Sequence, residues 1–83
     1  MDKEWVIAGK VKGTLPEIGK TYEIRDVRKG TYTGRIMNVR GEFADVEVTD
    51  GLPRFAGFES RLAYDGELTI RAGLVYLIEK HPE

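Results

Sequence analysis

The stretch TYTGRIMNVRGEFADVEVT, residues 31–49, decides the fold class of this chain. Residues 31–40 are rich in β-forming side chains, and within residues 42–49 apolar and polar side chains alternate from residue 44 onward. The glycine at the centre of residues 40–42 is typical of a tight hairpin turn. We therefore predict two antiparallel strands, the second with an inward row made by Ala44, Val46 and Val48.

Further strands are predicted on both sides of this hairpin. Residues 20–28 alternate, with Tyr22 and Ile24 on one face, and residues 28–30 are predicted to form a turn. The apolar residues around Met37 do not keep one parity, which predicts a bulge or strong bend there. Short apolar runs predict outer strands at 5–8 and 74–78, and Asp65-Gly66 is a favourable hairpin dipeptide before Leu68 and Ile70.

The spacing of glycine and proline favours strands over helices throughout the chain. Ten glycines and three prolines leave little room for a full-length helix. We predict one all-β domain over residues 1–83, a small antiparallel barrel of five or six short strands. The alternative is an α+β domain with one short helix near residues 55–64, where the sequence favours neither helix, strand nor loop. The predicted core consists of Trp5, Ile7, Tyr22, Ile24, Ile36, Val39, Ala44, Val46, Val48, Leu62, Leu68, Ile70, Val75 and Leu77.

The residue inventory does not favour an enzyme. Cysteine is absent, and the single serine, Ser60, is not expected to meet the single histidine, His81, which lies near the end of the chain. Asp45, Glu47 and Asp50 are acidic but lack the pattern of a calcium loop. We therefore expect no catalytic residues, no metal site and no cofactor.

A protein-binding surface is the first functional hypothesis. A partner is expected to bind at an exposed strand edge or at residues 52–57, which contain an arginine and an aromatic ring. The candidate anchors are Arg54, Phe55 and Phe58. Pairing of strand edges between two copies would make a homodimer.

The charge distribution supports a second hypothesis, a nucleic-acid-binding barrel. Residues 9–40 have a net charge of +5 and residues 41–83 a net charge of −5, although the whole chain has only −1. The basic residues of 20–40 are of the type that neutralises phosphates, and a tyrosine among them could stack on a base. The candidates are Arg25, Arg28, Lys29, Tyr32 and Arg35. The competing interpretation is that these charges pair across neighbouring strands.

One segment resembles a known family. The string from residue 19 to residue 48, GKTYEIRDVRKGTYTGRIMNVRGEFADVEV, resembles the opening of small Src-homology-3-like barrels. Within it, RKGTYTGRIMNV is similar to the KOW element of ribosomal and transcription-elongation proteins. That resemblance implies tight-turn positions at Gly30 and Gly34, with Ile36 and Val39 on the following strand, and RNA binding as the family activity.

The arrangement RKGTYTGR, RGEFADVEVTDG and DGELTIRAGLVYLI also resembles short uncharacterised proteins of phages and prophages. This resemblance implies a bacterial cytoplasmic setting and no established activity. The apolar runs 5–8 and 74–78 are far shorter than the roughly 20 residues of a membrane helix. We therefore expect a cytoplasmic protein without a membrane partner.

Overall fold

Alternating apolar residues place five strands in a single antiparallel sheet. A computed structural model describes residues 4–51 and 66–80, and these ranges contain strands and turns but no helix. The strand order is β4-β3-β2-β1-β5. The strands are β1 (Thr21–Asp26), β2 (Gly30–Arg40), β3 (Phe43–Asp50), β4 (Glu67–Arg71) and β5 (Val75–Glu79). The all-β prediction is confirmed for these residues, whereas the alternative helix at 55–64 lies outside them.

The β2–β3 hairpin forms as the sequence predicts. Ile36 lies opposite Val46, and Ala44 and Val46 are fully buried. The register shifts between Ile36 and Asn38, so that Met37 is an extra residue on β2. The predicted bulge at Met37 is therefore confirmed, and it allows the strand to bend without disturbing the inward row of β3.

The predicted strand at residues 5–8 is reduced to a single parallel bridge between Ile7 and Leu77. The Ala8 amide donates to the Leu77 carbonyl at 2.8 Å, and the Leu77 amide donates to the Val6 carbonyl at 3.0 Å. Trp5 is fixed separately, because its indole N–H donates to the Gly41 carbonyl at 2.9 Å. Residues 5–8 thereby cover part of the outer edge of β5 and one end of the β2–β3 hairpin.

The core lies on one face of the sheet. Buried apolar side chains come from all five strands, from residues 5–8 and from the connection after β4; they are Trp5, Ile7, Tyr22, Ile24, Tyr32, Ile36, Ala44, Val46, Ile70, Ala72, Val75 and Leu77. Of the other predicted core residues, Val39, Val48 and Leu68 are partly buried, and Leu62 lies outside the described residues. The prediction missed Tyr32 and Ala72. Tyr32 has the same inward position as Gly34 and Ile36 on β2, and this parity was visible in the sequence.

The two glycines of the KOW-like string have different roles. Gly30 follows the turn at residues 27–29 and has a φ of +85°, which suits a tight-turn position. Gly34 is not in a turn, so this part of the implied pattern is wrong. It lies inside β2 facing Val46 and Ile24, and a Cβ there would overlap Val46 Cγ1 and lie 3.2 Å from the Glu47 carbonyl oxygen. Gly34 is therefore required by close packing between β2 and β3.

The Gly34 contact predicts a coupled pair of substitutions. Gly34→Ala should lower the free energy of unfolding by about 1–3 kcal/mol, because the added methyl group displaces Val46 in a closely packed core. Val46→Ala alone should also destabilise the fold, because it leaves a cavity. The double variant should be more stable than the sum of the two losses predicts, since Val46→Ala removes the atom that clashes. Urea unfolding of the four proteins measures this coupling, and strictly additive losses would contradict the proposed clash.

Candidate interaction surfaces

The predicted anchors Arg54, Phe55 and Phe58 lie outside the described residues, as does the loop 52–57. The candidate surfaces therefore consist of residues within the ranges 4–51 and 66–80. Within these ranges no group of three or more His, Cys, Asp or Glu side chains is arranged to hold a metal ion. The same ranges contain no helix long and apolar enough to cross a membrane.

Acidic neighbours compensate much of the basic segment. Arg25 Nε lies 2.9 Å from Glu23 Oε2 on the same strand, and Arg35 pairs with Glu47 on β3. A similar pair joins Arg40 to Asp45, with 2.6 Å between Nη2 and Oδ1. The second and third pairs connect β2 with β3. The outer face of this hairpin is thus largely a row of ion pairs, which weakens its attraction for a polyanion.

Tyr32 does not have the position that base stacking requires. Only 2% of its surface is exposed, and its hydroxyl donates to Asp26 Oδ2 at 3.4 Å. A ring packed in the core presents no free face to a nucleobase. The predicted stacking role of Tyr32 is therefore corrected to a core role. Of the basic candidates, Arg28 lies exposed at the β1–β2 turn.

The tip of the β1–β2 hairpin, residues 27–29, is held from inside by a buried carboxylate. Asp26 is only 7% exposed, and its Oδ1 accepts hydrogen bonds from the amides of Arg28 at 2.8 Å and Lys29 at 3.2 Å. With the Tyr32 hydroxyl on Oδ2, three donors serve this carboxylate. A buried carboxylate is costly without such partners. The arrangement therefore fixes the backbone of the tip while Val27 and Arg28 face solvent.

The N-terminal segment, which we define as residues 9–20, exposes three apolar side chains. Val11 is 81%, Leu15 56% and Ile18 64% exposed. Sequence reasoning missed all three, because the glycines and proline of this segment predict a loop without a strand parity that would assign an inward or outward face. The segment nevertheless has defined backbone contacts. The Gly13 amide donates to the Trp5 carbonyl at 2.9 Å, and the Gly19 amide donates to the Ile36 carbonyl at 2.7 Å.

A shallow groove of about 670 Å³ lies between the end of this segment and the ends of β1, β2 and β5. Its lining includes the apolar Ile18 and five charged side chains, namely Glu17, Lys20, Arg35, Glu79 and Lys80. Lys20 Nζ lies 3.5 Å from Glu79 Oε2 and 3.7 Å from Glu17 Oε2. Lys10 Nζ approaches the same Glu79 oxygen at 3.6 Å. The groove therefore offers an apolar contact at one end and a compensated set of charges along its wall.

The charges of the groove shift two pKa values. Desolvation alone would raise the pKa of Glu79, but Lys10 and Lys20 outweigh it and the net pKa lies below the ordinary 4.5. Desolvation alone would lower the pKa of Lys20, but Glu17 and Glu79 outweigh it and the net pKa lies above 10.5. Both groups therefore stay charged at neutral pH and connect the N-terminal segment to β5.

Comparison with known proteins yields no matching family model, no significantly similar curated protein and no significantly similar solved structure. The resemblance of residues 19–48 to Src-homology-3-like and KOW-like barrels therefore remains a prediction. The class of protein established by the described residues is a small all-β sheet domain with five antiparallel strands.

The tip geometry predicts a large effect at Asp26. Asp26→Ala should lower the free energy of unfolding by about 1–3 kcal/mol, because it deprives three donors of their acceptor near the core. Tyr32→Phe removes only the longest of the three bonds and should cost less. Urea unfolding gives both values. A variant at Asp26 as stable as the parent would show that the carboxylate does not hold the tip.

The lowered pKa of Glu79 predicts a pH-dependent contribution to stability. Ionised Glu79 stabilises the fold above its unfolded pKa of about 4.5, and this contribution is lost as the pH falls through that value to the lower folded pKa. Glu79→Gln should therefore lower the melting temperature at pH 7, and the difference from the parent should shrink below about pH 4. Glu67→Gln on β4 is the matched control, because Glu67 forms no ion pair with another described residue. A constant difference across this pH range for Glu79→Gln would contradict the ionic origin.

Proposed function

We propose that this chain is a non-catalytic protein-interaction module whose contact surface includes the N-terminal segment. The observation that carries the proposal is the exposure of Val11, Leu15 and Ile18 on a backbone that hydrogen bonds hold in place. Exposed apolar groups concentrated in one segment are typical of protein contact sites. A defined backbone also reduces the conformational entropy that binding would otherwise cost.

Closure of the sheet into a small Src-homology-3-like barrel is part of this proposal. β4 and β5 are the two edge strands of the sheet, yet only residues 72–74 separate them in the chain. Such a short connection supports a sheet that curls so that its two edges approach each other at one end. The bridge between Ala72 and Val75 and the bulge at Met37 support this curvature.

Aliphatic contact explains the surface better than nucleic-acid binding does. Val11, Leu15 and Ile18 have no ring that could stack on a base, and the nearby Lys10 and Lys20 lie against Glu79. An apolar patch of a protein partner would cover these three side chains and remove them from water. Each fully buried aliphatic side chain contributes about 1.5–3 kcal/mol, so three can supply a measurable affinity.

The test compares two serine variants. In a nuclease-treated bacterial lysate, the immobilised parent should retain a defined protein partner, and Val11→Ser/Leu15→Ser/Ile18→Ser should bind that partner at least about tenfold more weakly. The matched control, Met37→Ser/Phe43→Ser, replaces exposed apolar residues on the β2–β3 hairpin and should bind as the parent does. All five positions are exposed, so the melting temperature should change little.

Three outcomes would contradict the proposal. Equal retention of the protein partner by the parent and both variants would show that the N-terminal segment is not the contact surface. Loss of all bound material when the lysate is treated with nuclease would indicate that the ligand is nucleic acid. Retention of no protein at all would also oppose it. Sedimentation of the parent over a range of concentrations identifies the remaining version, in which the partner is a second copy of the chain.

A further inference from the structure

The β1–β2 tip is a second surface, separate from the N-terminal segment. β1 points Ile24 and Asp26 into the protein, so Arg25 and Val27 face outward. Arg25 lies beside Tyr76 in the register of β1 and β5. The Val27 amide donates to the Leu74 carbonyl at 3.0 Å, which continues this neighbourhood past the end of the strand.

The side chains of this surface are the types that dominate protein interfaces. Val27 is 77% and Tyr76 40% exposed, and Arg28 in the turn is also exposed. Aromatic and arginine side chains contribute most of the binding energy in many interfaces. Because the Asp26 carboxylate already fixes the amides of the tip, a ligand would find Val27 and Arg28 in place.

The electrostatics of the tip select an anionic partner. Arg28 brings a positive charge to the exposed side of the tip, and within the described ranges Arg28 forms no ion pair. The nearest carboxylate along the chain, Asp26, is buried and directs its oxygens to the backbone and to Tyr32. Arg25 contributes little net charge because Glu23 compensates it.

We propose that the β1–β2 tip, together with Tyr76, binds an acidic segment of a protein partner that also carries apolar side chains. The carboxylates of that segment would pair with Arg28, and its apolar groups would cover Val27 and the ring of Tyr76. Nucleic acid fits less well, because tight binding to it needs several neutralised phosphates, whereas Arg25 and Arg35 are compensated and Tyr32 is buried. The inference does not depend on the N-terminal segment.

The test uses three fluorescent probes: a short peptide of alternating glutamate and leucine, the same peptide with glutamine in place of glutamate, and a short oligothymidylate. The glutamate peptide should shift the amide NMR signals of Val27, Arg28 and Tyr76 and bind more tightly than the glutamine peptide. Arg28→Glu should weaken its binding about tenfold, as loss and reversal of a charged contact would. Arg40→Glu, the same charge change at the opposite end of β2, should leave its affinity near that of the parent.

A second pair of variants separates this surface from the N-terminal segment. Val27→Ser should weaken binding of the glutamate peptide, whereas Val11→Ser, at a similarly exposed valine, should not. The inference is overturned if the glutamate peptide causes no shift at the tip, if both peptides bind equally, or if Arg28→Glu and Arg40→Glu have equal effects. Tighter binding of oligothymidylate at the same amides would also overturn it and identify a nucleic-acid surface. None of these outcomes affects the test of the N-terminal segment.

Discussion

The close approach of β2 and β3 at Gly34 is the constraint on which the rest of the sheet depends. β2 is the central strand, pairing with β1 on one side and β3 on the other. Only a residue without a Cβ leaves room for Val46, and Val46 in turn fills the inward row of β3. Two register shifts between β2 and β3, one with Met37 extra on β2 and one with Thr49 extra on β3, add local twist to this pair of strands. We therefore expect the sheet to bend at these register shifts between β2 and β3.

Residue parity explains both what the sequence could predict and what it could not. Alternation in residues 44–49 identified β3, and the loss of alternation at Met37 identified the bulge, because both are local properties of a pleated strand. The inward position of Tyr32 follows from the same local alternation. A base-stacking role was instead predicted for Tyr32 because its side chain is aromatic. By contrast, the N-terminal segment is positioned by partners far along the chain, Ile36 and Glu79 among them. No local pattern encodes such contacts, so the exposure of Val11, Leu15 and Ile18 could not be read from the sequence.

The uneven charge of the sequence is largely removed by the register. A run of basic residues suggests a polyanion site only if those residues share a face without compensation. Here the antiparallel pairing of β2 with β3 places Arg35 against Glu47, and a similar contact joins Arg40 to Asp45. Such exposed pairs contribute little to stability, but they reduce the positive potential over the hairpin. Arg28, in the turn between β1 and β2, forms no ion pair within the part of the chain that the structure describes.

We therefore expect the binding surfaces of this small domain in its loops, where the hydrogen-bonded pairing of the strands ends. Within the strands, several outward charges are compensated by a neighbour, as Arg35 is by Glu47, and the inward apolar side chains pack in the core. At the β1–β2 tip and in the N-terminal segment, the backbone is held by hydrogen bonds to Asp26, Trp5 and Ile36. The exposed side chains of these two surfaces, Val11, Leu15, Ile18, Val27 and Arg28, belong neither to the core nor to the paired strands. These side chains can contact a partner without any loss of packing inside the domain. The same sheet that buries the core thus presents two separate, preorganised loop surfaces to solvent.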